Sequence, residues 1–172
     1  AEAGIDTRFL RAVEDVPTAY TDVMTVRESG RRTFFHNRGA NALLSPEDYP
    51  LDELSCRILT LGYLLLLDGM DEDDSEYGTR AARVLAGCRE RGILTAVDVV
   101  SEDSDRFARI VTPALAHVDY LVINEIEAAR TTGTELRGGE TLDRGALERA
   151  AELLLDNGVK QAVVIHTPEA AF

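Results

Sequence analysis

The sequence predicts an α/β domain built around a mostly parallel sheet, and two observations predict it. The length of 172 residues fits one domain with a sizeable buried core. From residue 57 onward, apolar segments of strand length alternate with segments whose apolar residues recur at helical spacing. Strands joined by helices imply right-handed crossovers, which place neighbouring strands parallel. We expect helices to cover both faces of such a sheet.

The first 41 residues predict a β-hairpin instead. Residues 19–26 mix β-branched with polar side chains, as in a half-exposed strand. Glu28–Arg31 has the composition of a turn, and Arg32–Asn37 predicts the second strand. Gly39 follows, where the missing side chain permits close approach of two backbone segments.

The remaining elements follow in a regular order. Gly92 is placed to end the first helix, and Asn157 with Gly158 to end the last, while Asp143 has the side chain of a helix N-cap. A further helix is predicted to begin after Asn124. The predicted strands are Arg57–Leu66, Ile93–Val100, Tyr120–Ile123 and Lys160–His166, and the other predicted helices are Tyr77–Arg91, Asp105–His117 and residues 143–155.

Composition argues against several classes of function. The net charge of −13 argues against a nucleic-acid partner, because neutralising a phosphate backbone needs clustered Lys and Arg. It does not argue against a single nucleotide held in a local pocket. The segment 58–67 is too short and interrupted to span a membrane. Cys56 and Cys88 lack metal-ligand spacing and predict reduced cysteines in the core of a cytoplasmic protein.

Polar residues follow each predicted strand of the parallel sheet. In open α/β sheets ligands bind in the crevice outside the carboxyl ends of the strands. The sequence therefore predicts that several loops share one polar rim, although loops are polar in any protein. The four segments are Leu67–Gly69, Asp98–Ser101, Asn124–Glu127 and His166–Glu169.

Asn124 and Glu127 are the most informative pair on this rim. An amide and a carboxylate three positions apart after a buried strand can face the same crevice. Oxygen ligands of this kind suit Mg²⁺, which usually reaches a protein bound to phosphate. The structural alternative is a helix start whose acids interact with the helix dipole.

Two other acidic features are less informative about function. Asp98 lies in an otherwise apolar strand, where an acid is costly unless it is paired or hydrated, so a functional and a structural role are equally open. The acidic run of residues 68–76 lacks the spacing of an EF-hand loop. We expect it to be a solvated loop whose last acids favour the N-terminus of the next helix.

Histidines and glycine-rich loops give little further information. His36 and His117 fall outside the predicted rim, and His166 alone lies on it. The sequence contains neither a G-x-G-x-x-G segment nor a Walker A segment. A bound nucleotide would therefore be held in another way.

Taken in order, several weak motifs resemble one family, the phosphofructokinase-B (ribokinase-like) carbohydrate kinases. The Asn-x-x-Glu element at Asn124–Glu127 is the most diagnostic of them. The others cover nearly the whole chain at similar spacing. They are Ala3–Thr7, Pro17-Thr18, Gly30–Phe35, Gly39–Asn41, Asp98 and Lys160–Ile165.

The resemblance implies a three-layer α/β/α domain with a small β lid, residues 17–41, over a sugar site. It implies transfer of the γ-phosphate of ATP to a sugar hydroxyl with Mg²⁺. Asn124 and Glu127 would organise the Mg²⁺ and the phosphates, mainly through water. Other residues implied in the site are Gly39, Ala40, Asn41, Gly62, Tyr63 and Asp98 for the sugar, and His166 and Thr167 on the nucleotide side.

The chain also departs from the family pattern. The family's first strand with a sugar-binding Asp and a Gly-Gly-Asn-type segment is missing, as is the Gly-Ala-Gly-Asp element that supplies the anion hole and the base. At the last strand, residues 166–171 lack the glycines of the usual Thr-x-Gly-x-x-Gly segment, which puts that nucleotide contact in doubt. We expect a single domain over residues 1–172 that is incomplete at both ends and inactive by itself.

Three functional hypotheses remain open from the sequence. The first is a sugar or nucleoside kinase, and the second is a non-catalytic sugar- or nucleotide-binding module of the same architecture. The third is a regulatory or structural domain whose hairpin edge pairs with a second copy. The acceptor could be ribose, fructose, 2-keto-3-deoxygluconate or a nucleoside.

Overall fold

The computed structural model of the protein describes residues 4–139 and 141–172. Ala3, in the first of the motifs above, lies outside the described residues. In chain order the strands are β1 (Tyr20–Thr25), β2 (Arg32–Asn37), β3 (Ile58–Leu64), β4 (Leu94–Val99), β5 (Tyr120–Asn124) and β6 (Ala162–His166). The helices are α1 (Arg80–Glu90), α2 (Phe107–Leu115), α3 (Glu125–Thr132) and α4 (Arg144–Asp156).

The central sheet contains four parallel strands in the order β6-β5-β4-β3. This confirms the predicted α/β class and the parallel topology. Each crossover steps to the next strand in the same direction, so right-handed connections place all the helices on one face. That face is buried, as Val97, Leu121 and Ile165 show.

The opposite face of the sheet is more open. Val122 is 40% exposed, and Ile58 at the start of β3 is 47% exposed. Parallel sheets are normally covered on both faces because their crossovers supply helices to each. The described residues supply the sheet and one helical layer, and the second helical layer of a three-layer arrangement is not among them.

The acidic run of residues 68–76 behaves differently from the prediction. The predicted helix from Tyr77 begins at Arg80, because Asp73–Asp74 and Gly78–Thr79 form a short antiparallel ladder ahead of it. The Thr79 side chain caps α1 by accepting a hydrogen bond from the N–H of Ala82 at 3.2 Å. Asp71 is 3% exposed rather than solvated. The predicted N-cap at Asp143 is confirmed, because its side chain accepts from the N–H of Ala146 at 3.0 Å.

No helix in residues 4–139 and 141–172 combines the length and the apolar character that crossing a membrane requires.

The hairpin β1–β2 forms its own two-stranded sheet. Every residue in both strands is exposed, whereas the sequence predicted that the first strand is half-exposed. Its register divides the side chains into two faces, because residues directly opposite each other in an antiparallel pair point the same way. An isolated hairpin of this size is marginally stable in water, so contacts at its base matter.

The base of the hairpin is anchored by tight backbone contacts. The N–H of Ala40 donates to Pro17 O at 2.9 Å, and Gly39 has a positive φ of 47°. The N–H of Gly69 donates to Ala42 O at 3.0 Å. A Cβ at Gly69 would lie 2.4 Å from Leu44 O, so only glycine lets the two segments approach this closely. This contact fixes the hairpin base to the loop that follows β3.

We expect Gly69→Ala to lower the free energy of unfolding by about 1–3 kcal/mol, because the new methyl group overlaps backbone that cannot easily move. Urea titration would measure the loss. Gly138→Ala is the matched control, since a Cβ there would meet no atom within 4 Å. Equal stability of the two variants would contradict the close contact at Gly69.

Candidate functional site

A cavity of about 560 Å³ lies between the hairpin and the carboxyl ends of the sheet strands. Residues from the hairpin form its roof, and its floor comes from β3, β4, β5, β6 and the loops that follow them. This is the crevice in which open α/β sheets bind ligands. The lining residues are Thr21, Val23, Arg32, Phe34, His36, Arg38, Tyr63, Leu66, Asp98–Glu102, Asn124, Glu127 and His166.

Asn124 and Glu127 bind each other at the start of α3. The Asn124 side chain accepts from the N–H groups of Ile126 and Glu127 at 2.8 and 3.0 Å. Glu127 in turn accepts from the N–H of Asn124 at 2.9 Å. This reciprocal pattern is a capping box, so the helix-start interpretation of the motif describes a real part of its role.

The pair does more than cap the helix. Ser101, at the end of the neighbouring strand β4, donates from Oγ to Glu127 Oε1 at 2.7 Å and accepts from Asn124 Nδ2 at 2.7 Å. Asn124 Nδ2 also donates to Glu127 Oε1 at 2.7 Å. Glu127 is only 3% exposed yet lines the cavity. A network across two strand ends therefore holds a buried carboxylate in one orientation.

Burial raises the pKa of Glu127 above its ordinary value. Its hydrogen bonds from Asn124 and Ser101 lower the pKa, the negative charge of Asp98 raises it, and His166 lowers it. Burial is the largest of these effects because removing a carboxylate from water disfavours its charged form. A cation near the site would oppose burial and favour the ionised form.

Asp98 is the second carboxylate of the floor. Burial raises its pKa, while a hydrogen bond from the N–H of Val99 and the nearby His166 lower it. That bond, at 2.7 Å, comes from the next residue in the chain, so the cavity-facing part of the carboxylate remains available to a ligand. The negative charge of Asp98 acts on Glu127, and both residues line the same cavity.

The donor set fits Mg²⁺ held mainly through water. The described residues contain no group of three or more His, Cys, Asp or Glu side chains placed to hold a metal ion. Mg²⁺ commonly needs no such group, because it keeps several waters and takes one or two carboxylates together with phosphate oxygens. The oxygens of Glu127 already accept three hydrogen bonds, which favours contact with the ion through bound water.

A second polar network supports the wall of the cavity beside β3. Arg106 binds the cavity residue Glu102 through two hydrogen bonds of 2.8 and 2.6 Å and donates to Leu65 O at 3.0 Å. Leu65 has a positive φ of 75°, and its N–H donates to Asp71 Oδ1 at 3.2 Å. The other oxygen, Asp71 Oδ2, is buried without a hydrogen-bond donor and lies 4.0 Å from Arg106 Nη1.

The structure brings together some of the residues implied by the resemblance. Tyr63, Asp98, Asn124, Glu127 and His166 all line the cavity. Gly62 lies beside Asp98, since a Cβ at Gly62 would be 3.8 Å from Asp98 Cβ.

The other implied residues lie outside the lining of this cavity. Gly39 borders a separate, open concavity of about 780 Å³ along the hairpin. Ala40 and Asn41 belong to the short 3₁₀ turn at the hairpin base. Thr167 uses its hydroxyl in its own turn, accepting from the N–H groups of Glu169 and Ala170 at 3.1 and 3.0 Å.

Sequence reasoning missed several lining residues. The hairpin face that covers the cavity became identifiable only from the register, which places Val23 opposite Phe34 and Thr21 opposite His36. Ser101 stood within a segment already singled out, and its hydroxyl next to a strand end was the available signal. Arg38 pairs with Asp68 of the loop after β3, a contact between residues 30 positions apart that no local pattern indicates.

Comparison with known proteins identifies the family. A family model described as pfkB family carbohydrate kinase matches residues 1–171. The chain belongs to the pfkB family of carbohydrate kinases. This confirms the resemblance drawn from the motifs. No curated protein matches the chain.

Several solved structures share the fold. The crystal structure of Sa239 matches with a TM-score of 0.70 and 19% identity over 95% of this chain and 48% of that one. Ribokinase from Arabidopsis thaliana, complexed with ribose and ATP, matches with a TM-score of 0.63 and 23% identity over 94% and 46%. Fructokinase from Xylella fastidiosa matches with a TM-score of 0.63 and 15% identity over 99% and 55%. The chain therefore spans about half the length of these structures.

We expect Asp71 to make stability depend on pH. Burial raises the pKa of Asp71 from 3.8 to about 6, so the folded protein holds this proton more tightly than the unfolded chain does. Its contribution to stability is full below pH about 4 and is lost as the pH rises through about 6, a change of up to about 3 kcal/mol.

Asp71→Asn should remove that change, because the amide does not titrate. Urea titrations of the pfkB protein and the variant between pH 4 and pH 7 would measure it. Asp73→Asn is the control, since Asp73 is exposed and pairs with Arg109. A pH profile that is identical in the Asp71 variant and the parent would contradict the assignment.

Proposed function

We propose that the protein containing this chain transfers the γ-phosphate of ATP to a hydroxyl of a sugar or sugar-like acceptor, with Mg²⁺. The observation that carries the proposal is the cavity under the hairpin, in which Asn124 and Glu127 lie at the N-terminus of α3 beside Asp98. Membership of the pfkB family supports the same reaction class. The solved ribokinase and fructokinase neighbours support the fold that positions these groups.

In this proposal Asn124 and Glu127 hold Mg²⁺ through water beside the phosphates of ATP. Bound Mg²⁺ would neutralise charge that develops on the transferred phosphoryl group. The buried position of Glu127 matters because a carboxylate in a poorly solvated site attracts a cation more strongly than one in water. His166 and Thr167 are assigned to the nucleotide side of the same edge.

The acceptor would lie between the hairpin and β3. Asp98, Gly62 and Tyr63 are assigned to its floor, and Gly39–Asn41 to the base of the hairpin. Carboxylates bind sugar hydroxyls well because an ionised carboxylate accepts several hydrogen bonds. The acceptor of the hydroxyl proton is not among the residues assigned here.

The hairpin would exclude water from the reaction. Water is a competing acceptor for phosphate, and expelling it also strengthens the electrostatic interactions inside the cavity. Val23 and Phe34 form the apolar centre of the cavity roof, and both are exposed. A bound sugar would cover part of this apolar surface and favour closure.

We also place the reaction in the cytoplasm, where Cys56 and Cys88, both free, would stay reduced. The expectation that both cysteines lie in the core is wrong for Cys56, which is exposed, whereas Cys88 is buried.

A non-catalytic sugar- or nucleotide-binding module is the second candidate. The observation that favours it is the turn at Thr167, whose hydroxyl is occupied by hydrogen bonds within residues 167–170. A binding module would retain affinity for Mg·ATP and for sugar while forming no sugar phosphate. Measuring both binding and product formation in the intact protein separates the two candidates.

We expect Glu127→Gln in the intact protein to lower Mg²⁺-dependent phosphate transfer by about 10- to 100-fold, because it removes charge from the surroundings of the ion. Gln can still accept the capping hydrogen bond, so α3 should keep its start. Sugar affinity should change by less than about twofold, as Glu127 faces the phosphate side. Steady-state kinetics and calorimetric titration with Mg·ATP and with sugar would measure the three effects.

Glu125→Gln is the matched control for this experiment. Glu125 precedes Glu127 on the same helix but pairs with Arg137 at 2.8 Å and does not line the cavity. It should leave transfer nearly unchanged. Equal losses of sugar affinity and transfer in the Glu127 variant would indicate general misfolding, and no affinity of the parent for Mg·ATP would remove the kinase proposal.

We further propose that the hairpin pairs with a second copy of the chain. Tyr20, Met24 and Phe35 share the face that is turned away from the cavity, and their exposed fractions are 53%, 62% and 58%. Covering this face would stabilise a hairpin that is marginal alone.

Phe35→Glu should reduce the molar mass measured by light scattering from that of a dimer to that of a monomer. A buried carboxylate without a partner would disfavour the interface. Leu10→Glu is the control, because Leu10 is 78% exposed and lies outside the hairpin. The same mass for the parent and the Phe35 variant would contradict pairing through this face.

A further inference from the structure

The two faces of the hairpin carry opposite charge. Arg32 and His36 line the cavity from the inner face, which holds no carboxylate. Asp22 lies on the outer face opposite Phe35. In a chain with a net charge of −13, a cavity roof whose charged groups are basic is an uneven distribution of charge. The floor below has the reverse character.

Arg32 differs from Arg38, which also lines the cavity, and from Arg106, which lies beside the cavity residue Glu102. Arg38 pairs with Asp68, and Arg106 pairs with Glu102. Arg32 has no carboxylate within ion-pair distance among residues 4–139 and 141–172. Its guanidinium lies over the ring of Phe34, with the guanidinium carbon 5.5 Å from the ring centre. It is thus a cation at the cavity without an acidic partner in the described chain.

Contact with Phe34 orients this guanidinium so that it can bind an anionic group. An arginine over an aromatic ring is less free to move, and its N–H donors point outward in the plane of the group. Those donors match the two oxygens of a carboxylate or a phosphate and form charge-assisted hydrogen bonds with them. A neutral sugar hydroxyl does not use the positive charge.

The floor of the cavity, unlike Arg32, is not suited to bind an anion. Asp98, Glu102 and Glu127 give it negative character. Asp98 and Glu127 suit hydroxyl groups and a hydrated cation, while Glu102 is held by Arg106. An acceptor that places hydroxyls toward the floor and an anionic group toward Arg32 would complement both surfaces.

We infer that the acceptor of this kinase carries an anionic substituent, a carboxylate or a phosphate ester, and that Arg32 of the hairpin binds it. This inference rests on the proposed function and narrows its substrate class to acidic sugars. Arg32 is then a specificity-determining residue. It contacts the acceptor at a group remote from the hydroxyl that is phosphorylated.

A competing role for Arg32 is to draw the hairpin toward the acidic floor. Such closure would favour the binding of every acceptor equally, whether the acceptor is charged or neutral. Binding of an anionic group by Arg32 would instead help only the acceptors that carry one. The two roles therefore differ in how a substitution acts on matched substrates.

The test is initial-rate kinetics of the intact protein with four acceptors at fixed Mg·ATP. The probes are 2-keto-3-deoxygluconate for a carboxylate, fructose 6-phosphate for a phosphate ester, and fructose and ribose as neutral sugars. The parent should prefer one anionic probe, and which one identifies the anionic group. Arg32→Gln should raise the KM for that probe by about tenfold or more, with a smaller change in kcat, and leave the KM values of neutral sugars unchanged.

Two further variants make the result specific. Arg32→Lys keeps the charge but loses the planar pair of donors, so it should recover only part of the lost affinity. Arg31→Gln removes the same charge from the adjacent residue, which does not line the cavity, and should have no effect. Unchanged calorimetric affinity of each variant for Mg·ATP would show that it is folded.

Two results would overturn the inference while the proposed function stands. One is a parent enzyme that prefers a neutral sugar, and the other is an Arg32→Gln variant that loses activity equally on all four acceptors. Transfer of phosphate to none of them, together with no affinity for Mg·ATP, would instead overturn the proposed function itself.

Discussion

The reciprocal hydrogen bonding of Asn124 and Glu127 is the interaction on which the rest of the site depends. It joins the end of β5 to the start of α3 and holds two polar side chains at the sheet edge. A capping box alone explains why the two residues are three positions apart. It does not explain why Glu127 is buried, lines a cavity and binds Ser101 of the neighbouring strand end. The contacts therefore show the capping role, and they also hold Glu127 in the position that the proposed role at the phosphates requires.

The burial of acids around this edge carries an energetic cost that the fold offsets with specific hydrogen bonds. Glu127 receives three of them, whereas Asp71 receives one from Leu65 and leaves its other oxygen without a donor. Asp71 nevertheless accepts from the N–H of Leu65, whose backbone is left-handed, and Leu65 O in turn accepts from Arg106. The shape of the wall beside β3 thus depends on an acid that is costly to ionise. The sequence predicted a solvated loop here, whereas the structure has a buried hydrogen-bonded network, because the ends of parallel strands lie close together at one edge of the sheet.

The hairpin contributes a surface of different chemistry from the sheet. Its inner face is apolar at the centre and basic at Arg32 and His36, and it faces a floor of carboxylates. Its own two strands bury little, so the contacts at its base, such as that between Gly69 and Ala42, set where it lies. The chemical difference between roof and floor is the basis for assigning an acceptor with both hydroxyls and a negative charge.

The sequence by itself determined the order of elements, the parallel sheet and the family. Helical and strand periodicity, the N-cap at Asp143 and the Asn-x-x-Glu motif are local patterns, and local patterns report what neighbouring residues do. The sequence also indicated that Asp98, Asn124, Glu127 and His166 lie at strand ends.

Only the tertiary structure decided which of these groups meet and what surrounds them. The burial of Asp71 and the pairing of Arg38 with Asp68 depend on segments that are distant in the chain. The same holds for the hydrogen bond between Ser101 and Glu127 and for the position of Arg32 over the cavity. Such contacts follow from how β-strands align and how a hairpin folds across them. No pattern of adjacent residues specifies that alignment.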